Sequence, residues 1–413
     1  NSLSHYTDWT IAHVHSGVLG WNGFMTFGML YWLMPRLFQT GKLWSHRLCV
    51  THFWIGTVGI LLYIVPIWTA GITQGLMWRA LNENGTLMYS DFLDTVTKLR
   101  PLYWARVIGG TLYLAGAAMA AINMFQTWRM RPSRYEEPVI QAAALEKVYT
   151  GPSPKLSGNH GPIGRFAAMA WHRTWERKPI TFTVMTTLAV VSASMFEIIP
   201  TFAIKSVVEP IASVKPYTPL EVAGRDIYVS EGCYNCHSQQ IRPMRHEVLR
   251  YGEYSKAGEF IYDRPFQWGS RRIGPDLARV GNKLTTSWHV RHFNRPSDLS
   301  PGSIMPSYPW LLKDDLDFEA IQGKINALVK LGTPYEDAVK QDAVSVARAQ
   351  ADAVNAKLVS EAPEFAGKGM QNKKVIALTA YLLRLGTDIS KDVEDKSAQN
   401  GSGAQEVGHG QSL

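Results

Sequence analysis

Cysteine is scarce: three in 413 residues, at Cys49, Cys233 and Cys236. Only one pair is close in sequence, so no second pair is available to complete a four-thiolate zinc site. The chain also lacks a basic stripe interleaved with aromatics, which argues against nucleic acid as a partner despite a formal net charge of +8. Internal repeats are absent as well. No initiator Met precedes Asn1, and HYTDW runs directly into an apolar stretch, which is expected of a processed, truncated or partial polypeptide. That first stretch is too long, too rich in Gly and Trp, and too poor in preceding positive charge for a cleaved signal peptide.

What is present is strongly segregated. Four windows, about 11–34, 50–73, 105–127 and 180–204, each hold enough apolar residues to cross a bilayer core of ~30 Å as a helix. The intervening charges set a direction. Residues 35–49 carry Arg36, Lys42 and Arg47 with no acid, and 128–178 carries nine Lys/Arg against four Glu. Residues 74–104 balance three basic against three acidic residues. By the positive-inside rule, 35–49 and 128–178 are cytoplasmic, and everything after the fourth window lies outside. Trp32, Trp44, Trp54, Trp68, Trp78, Trp104 and Trp128 fall near helix ends, as in aromatic belts.

The expected organisation is therefore three spanning helices over 1–127, a Pro- and Gly-punctuated linker over 128–178, an anchor helix over 179–206, a soluble domain over 207–390 and a disordered tail over 391–413. Within the soluble part, 314–361 has apolar residues at helical spacing and reads as amphipathic and structural, and 373–386 reads as another helix.

Cys233, Cys236 and His237 in GCYNCHSQ form C-x-x-C-H, the attachment pattern of a c-type heme. The two thiols can form thioethers to the two vinyl groups of one heme, and the adjacent His then presents its imidazole to the iron. A redox dithiol or half a zinc site are the alternatives. A sixth ligand is expected downstream: Met305 in SIMPSYP is the candidate, with Met244, His246, His289 and His292 as competitors. The loop GPDLARVG, 274–281, is a candidate heme-packing segment around Pro275 and Leu277. Arg242, Arg271 and Arg272 are candidates to neutralise heme propionates.

In the first apolar window, IAHVHSG places His13 and His15 two positions apart. On a helix they point ~200° apart, so one metal cannot take both. Either they serve two centres on opposite sides of one helix, or they are hydrogen-bonded residues of a bundle interior. Intramembrane ionisable residues are costly and usually functional.

TDWTIAHVHSGVLGWNGF resembles the tenth helix of the catalytic subunit of cbb3-type cytochrome c oxidases, the C family of heme–copper oxidases. EIIPTFAIKSVVEPIASVKPYTPLEVAGRDIYVSEGCYNCHSQQIRP, with YDRPFQWGSRRIGPDLARVG and MPSYPW, resembles the monoheme cytochrome c subunit of the same enzyme. The resemblance implies a mainly α protein: three helices from the end of the catalytic subunit, one membrane anchor, and a periplasmic class I-like cytochrome c domain. It implies His13 as catalytic proximal ligand of the high-spin heme b iron and His15 as axial ligand of the low-spin heme b iron. It implies Met305 as the second ligand, with His237, of the heme c iron. The family's copper ligands, active-site tyrosine and remaining low-spin heme ligand lie on earlier helices that this sequence does not include. Copper therefore belongs to the complex without ligands in this chain. The implied partners are the remaining catalytic-subunit helices, a further c-type cytochrome subunit, an electron-donor cytochrome c and membrane lipid, in a bacterial inner membrane. The implied activity is reduction of O2 to water with proton translocation. Two other readings are an anchored electron carrier without a catalytic site and a nitric oxide reductase-like complex. His46 and His52 are assigned no role, and Glu197 reads as a structural carboxylate, with pairing to a neighbouring chain or proton movement as the alternatives.

Overall fold

The computed structural model describes residues 2–137, 178–203, 208–281, 283–389 and 391. The expectations for most of the linker and for the tail fall on residues outside these. Among the described residues the protein is mainly helical, with no strands and only isolated bridges such as Tyr6 with Arg271. It divides into two compact units, Asn1–Ser133 with Pro210–Leu413, and Arg134–Glu209.

The first unit opens with one helical path in three pieces: α1, Asp8–His15; a π-helical segment, Ser16–Gly23; and α2, Phe24–Leu37. The apolar pattern predicts an uninterrupted helix here. Gly17, Gly20 and Gly23 lower the cost of the wider turn, and the Tyr113 hydroxyl donates to the carbonyl of Leu19 within it at 2.9 Å.

Two long helices follow, α3 at His46–Arg79 and α4 at Phe92–Arg129. Ser45 and Asp91 cap them by accepting from the amides of Leu48 and Leu93. Both are long and apolar enough to cross a membrane, as is Pro179–Thr201 in the second unit. Gly59 and Gly109 let α3 and α4 approach, since a β-carbon on Gly59 would lie 2.6 Å from the Tyr113 amide nitrogen. Asn123 locks one end of the pair: it accepts from the Ser45 amide at 3.0 Å and donates to the Ser45 carbonyl at 2.9 Å. The second unit contains α5, Pro179–Ala203, an exposed apolar helix that carries Glu197 on its surface.

The rest of the first unit is a helical domain built on α6, Pro219–Ser230. Thr218 and Glu221 close a capping box at its start. Next come α7, Arg245–Tyr251, and α8, Thr286–Asn294. The predicted amphipathic stretch is realised as α9, Glu319–Lys330, which buries Ile321 and Ile325, and α10, Ala343–Glu361, which buries Ala343, Ala347, Ala351 and Leu358. The predicted final helix is α11, Lys374–Arg384. It crosses α6 so closely that a β-carbon on Gly224 would collide with the Ala377 carbonyl. These helices share one apolar core that includes Tyr228, Tyr381 and Leu220.

The segment before α1 is seated on this helical domain. Tyr6 is fully buried with φ +68°, a conformation uncommon for a residue with a side chain. Its hydroxyl donates to Gln240 Oε1 at 2.5 Å, its carbonyl accepts from the Arg272 amide at 2.8 Å, and the Arg272 guanidinium lies 4.3 Å from its ring centre.

Candidate heme-binding site

Gly232, at φ +71°, ends α6 in a left-handed turn that a glycine adopts without strain. The chain then tightens into a 3-10 turn over Cys233–Asn235, with the Cys236 and His237 amides both donating to the Cys233 carbonyl, at 3.1 and 2.9 Å. Cys233, Cys236 and His237 are thereby held on one wall of a cavity of about 460 Å3. That volume is in the range of organic ligand sites. Burial pushes the Cys233 thiol up to about 12 and raises Cys236 as well. A redox dithiol needs the opposite, a stabilised thiolate.

The 274–281 loop completes this wall as its sequence predicts. Ile273 and Gly274 donate their amides to the Cys236 carbonyl at 2.9 and 3.0 Å, and Leu277 lines the cavity. The Nδ1 of His237 lies 2.8 Å from the Pro275 carbonyl oxygen. A carbonyl can only accept, so Nδ1 carries the proton and Nε2 keeps its lone pair. Burial also lowers the His237 pKa, which keeps the ring neutral. Gly274 faces the ring, and a β-carbon there would lie 2.7 Å from both ring nitrogens and closer still to Cε1.

Met305 also lines the cavity, its amide donating to Ser303 Oγ at 3.2 Å, with Pro306 next in the chain. Among its competitors, His289 and His292 line the cavity, whereas Met244 and His246, at the start of α7, do not. Burial pushes both lining histidines down to about 4. His289 Nε2 and His292 Nδ1 are buried without a hydrogen-bond partner among the described residues. The residues present fit a covalently held heme: two thiols, an oriented imidazole, a thioether and apolar walls.

Arg242, Arg271 and Arg272, the expected propionate partners, do not line this cavity. Arg272, 1% exposed, donates to Glu247 at 3.0 and 3.1 Å, to Ser238 Oγ at 2.7 Å and to the Gln240 carbonyl at 2.8 Å, and it pairs with Asp276 at 3.3 Å. Arg242 pairs with the same Glu247. Burial alone would raise the Glu247 pKa, but Arg272 and Arg242 outweigh it and hold the carboxyl below its ordinary value. Arg271 donates to the Asn235 carbonyl at 2.9 Å. These arginines build the scaffold behind the site. The basic residues that line the cavity are Arg250, Arg279 and Lys283, which nothing in the sequence pattern singles out.

On α1, His13 is exposed and stacks on Trp9, with ring centres 5.5 Å apart. His15 is half-buried against Tyr63, ring centres 5.2 Å apart, and its Nδ1 lies 2.8 Å from the Ile11 carbonyl, which again leaves Nε2 as the free nitrogen. Among the described residues the two share no partner, and the π segment begins immediately after His15. His52 is buried, its Nδ1 2.9 Å from the Tyr31 hydroxyl.

The C-x-x-C-H turn thus opens on a cavity in a helical domain of a chain that also carries helices long and apolar enough to cross a membrane. Residues 172–389 match the family described as cytochrome c oxidase, mono-heme subunit/FixO, and since this is more than half of the sequence, the chain belongs to that family. Residues 1–112 match a second family, cytochrome c and quinol oxidase polypeptide I. Curated relatives include cytochrome c oxidase subunit 1 of Rhodobacter capsulatus, 52% identical over 132 residues, covering 32% of this chain and 25% of the relative. The cbb3-type cytochrome c oxidase subunit CcoN1 of Stutzerimonas stutzeri is 46% identical over 137 residues, 33% of this chain and 29% of the relative. A nitric oxide reductase polypeptide of the same organism is 27% identical over 146 residues, 35% of this chain and 29% of the relative. The chain spans about a quarter of the length of these oxidase relatives. Two oxidase subunit families are thus matched, on successive stretches of one chain.

Proposed function

We propose that this chain joins the last helices of a cbb3-type oxidase catalytic subunit to its monoheme cytochrome c subunit. Cys233 and Cys236 would hold heme c through thioethers, and His237 Nε2 and the Met305 sulfur would ligate its iron. The observation that carries this reading is the C-x-x-C-H turn opening on the 460 Å3 cavity with His237 Nδ1 tied to the Pro275 carbonyl. Bound heme supplies the one-electron chemistry that links a donor cytochrome c to oxygen reduction. The protein fixes its position: the two cysteines anchor it, Pro275 sets the imidazole tautomer, and Gly274 leaves space beside the ring.

His13 and His15 are the α1 ligands, to high-spin and low-spin heme b respectively, and His13 is the catalytic one. The Ile11 carbonyl does for His15 what Pro275 does for His237. Activity requires the remaining catalytic helices, which bring the copper ligands, and the complex contains a further c-type cytochrome. Residues 128–178 are a cytoplasmic linker and α5 is the anchor. The heme c domain lies in the periplasm beside the bacterial inner membrane, and oxygen reduction is coupled to proton translocation. The charge asymmetry of the loops supports this direction.

A nitric oxide reductase-like reading is weaker, because identity to that relative is 27% against 46–52% for the oxidases. The test is a pyridine hemochrome spectrum of the complex purified through this chain, before and after acid-acetone extraction, with copper assayed on the same sample. Extractable heme b and copper alongside covalent heme c are expected. Covalent heme c alone in an intact preparation would make the chain an anchored carrier, and heme b without copper would favour the reductase reading.

A further inference from the structure

Arg250, on α7, lines the heme cavity and also reaches the loop before α4. Its Nη2 donates to the Tyr89 carbonyl at 2.7 Å and its Nη1 to the Ser90 carbonyl at 3.0 Å. A guanidinium has five N–H donors. Two are used here, and among the described residues the other three meet no acceptor and Arg250 forms no ion pair.

The carboxylates that line the cavity, Asp91 and Asp276, are engaged elsewhere, and Asp94, which also acts on Arg250 through space, forms no ion pair among the described residues. Asp91 caps α4 through the Leu93 amide at 2.9 Å. Asp276 accepts from Ser238, from the Gln240 amide at 2.9 Å and from the Ala278 amide at 2.8 Å, and pairs with Arg272. Arg279, the third lining cation, is neutralised by Glu259 at 2.7 and 2.8 Å. Lys283, exposed on the same cavity, donates among the described residues to the Tyr251 carbonyl alone, at 2.7 Å. Among the described residues, therefore, two cations on one cavity form no ion pair, with Asp91 and Asp94 acting on Arg250 and Asp276 on Lys283 only through space. Burial holds both below their ordinary basicity, the cost a bound anion would relieve.

We infer that Arg250, assisted by Lys283, binds a propionate carboxylate of the heme while its two used N–H groups grip the Tyr89 and Ser90 carbonyls. This rests on the heme reading above and extends it. One planar fork then fixes the anionic edge of the prosthetic group and the loop leading into α4. Arg250 is a positioning residue, and its positive charge also favours the reduced heme.

The experiment is spectroelectrochemical titration of heme c in the purified complex carrying Arg250→Gln, Arg250→Lys or Lys283→Gln, with covalent heme counted per chain. Arg250→Gln is expected to shift the ferric-to-ferrous ratio on the order of tenfold toward ferric, about 59 mV for a one-electron couple. Arg250→Lys, which keeps the charge, should recover most of that shift. Lys283→Gln should give a smaller shift in the same direction. A residue that only ties the Tyr89–Ser90 loop would leave the potential unmoved, so an unchanged potential in Arg250→Gln with heme c still attached overturns the inference. If Arg250→Gln does not assemble, an unchanged potential in Lys283→Gln overturns it instead. Absence of covalent heme from the wild-type complex removes the heme reading itself, and this inference with it.

Discussion

The Nδ1 of His237 stands 2.8 Å from the carbonyl oxygen of Pro275, and Gly274, immediately before that proline, touches the same imidazole with its bare α-carbon side. Ring tautomer and ring space are set by adjacent residues. The loop that supplies both is itself pinned to the Cys236 carbonyl by two amides.

Gly274→Ala is the sharpest probe of this wall. The added methyl must displace the imidazole or the loop, a cost of about 1–3 kcal/mol in a packed site. Covalent heme per chain should fall severalfold, or the heme that attaches should have altered axial ligation by electronic spectroscopy. Wild-type loading and spectrum would mean that the ring is not held where the structure has it.

On the proposed ligation, Met305→Ala should lower the heme c midpoint potential and open the ferric iron to added imidazole, because a thioether ligand both raises the potential and closes the sixth position. His292→Ala, on the same cavity, should leave imidazole binding as it is in the wild type. Reversal of the two results would transfer the ligand role to His292. Titration of exogenous imidazole, followed in the visible spectrum, decides between them.

His13→Ala and His15→Ala should each reduce the ratio of extractable heme b to covalent heme c, and each should remove a different spectral component. Loss of His15 takes the low-spin signal, and loss of His13 takes the high-spin signal with oxygen reduction. Equal loss of both signals in both variants would point to collapse of α1 rather than to ligation.

Asp263 gives a pH signature outside the heme site. It pairs with Arg225 at 3.2 Å, yet burial pushes its carboxyl up to about 6, with Arg225 offsetting only part of that. The folded state holds this proton more tightly than the unfolded chain does. Its contribution to stability is therefore full below an ordinary aspartate pKa and is lost as pH rises through about 6. Thermal unfolding at pH 4.5 and pH 7 should be compared in the wild type and Asp263→Asn. The variant should lose the part of the pH dependence that favours the acidic side; an unchanged difference would refute the assignment.

Much of this was legible in the sequence, and unevenly so. Long apolar runs announce α3, α4 and α5 because length and hydropathy alone decide whether a helix can cross a bilayer. C-x-x-C-H marks the turn that opens on a cavity, and Pro275 and Leu277 line that same cavity. Arg272 misled because closeness in sequence says nothing of direction: its side chain turns into the scaffold toward Glu247, 25 residues away in the chain. Arg250 was invisible for the converse reason, since its value lies in facing a loop 160 residues earlier. The π segment carried no signal beyond its glycines.

That π segment works as a phase shifter. Each wide turn takes up about one residue more than an α turn, so the face presented by α2 is rotated relative to the face presented by α1. Phe24 meets Tyr113 edge-on at 6.1 Å and Tyr31 reaches His52 at 2.9 Å, while His13 and His15, one winding back, keep bearings of their own. The aromatic seam and the histidine pair can thus be set separately along a single strand of backbone. Deleting one residue within the segment would turn the seam out of alignment and leave the pair where it is.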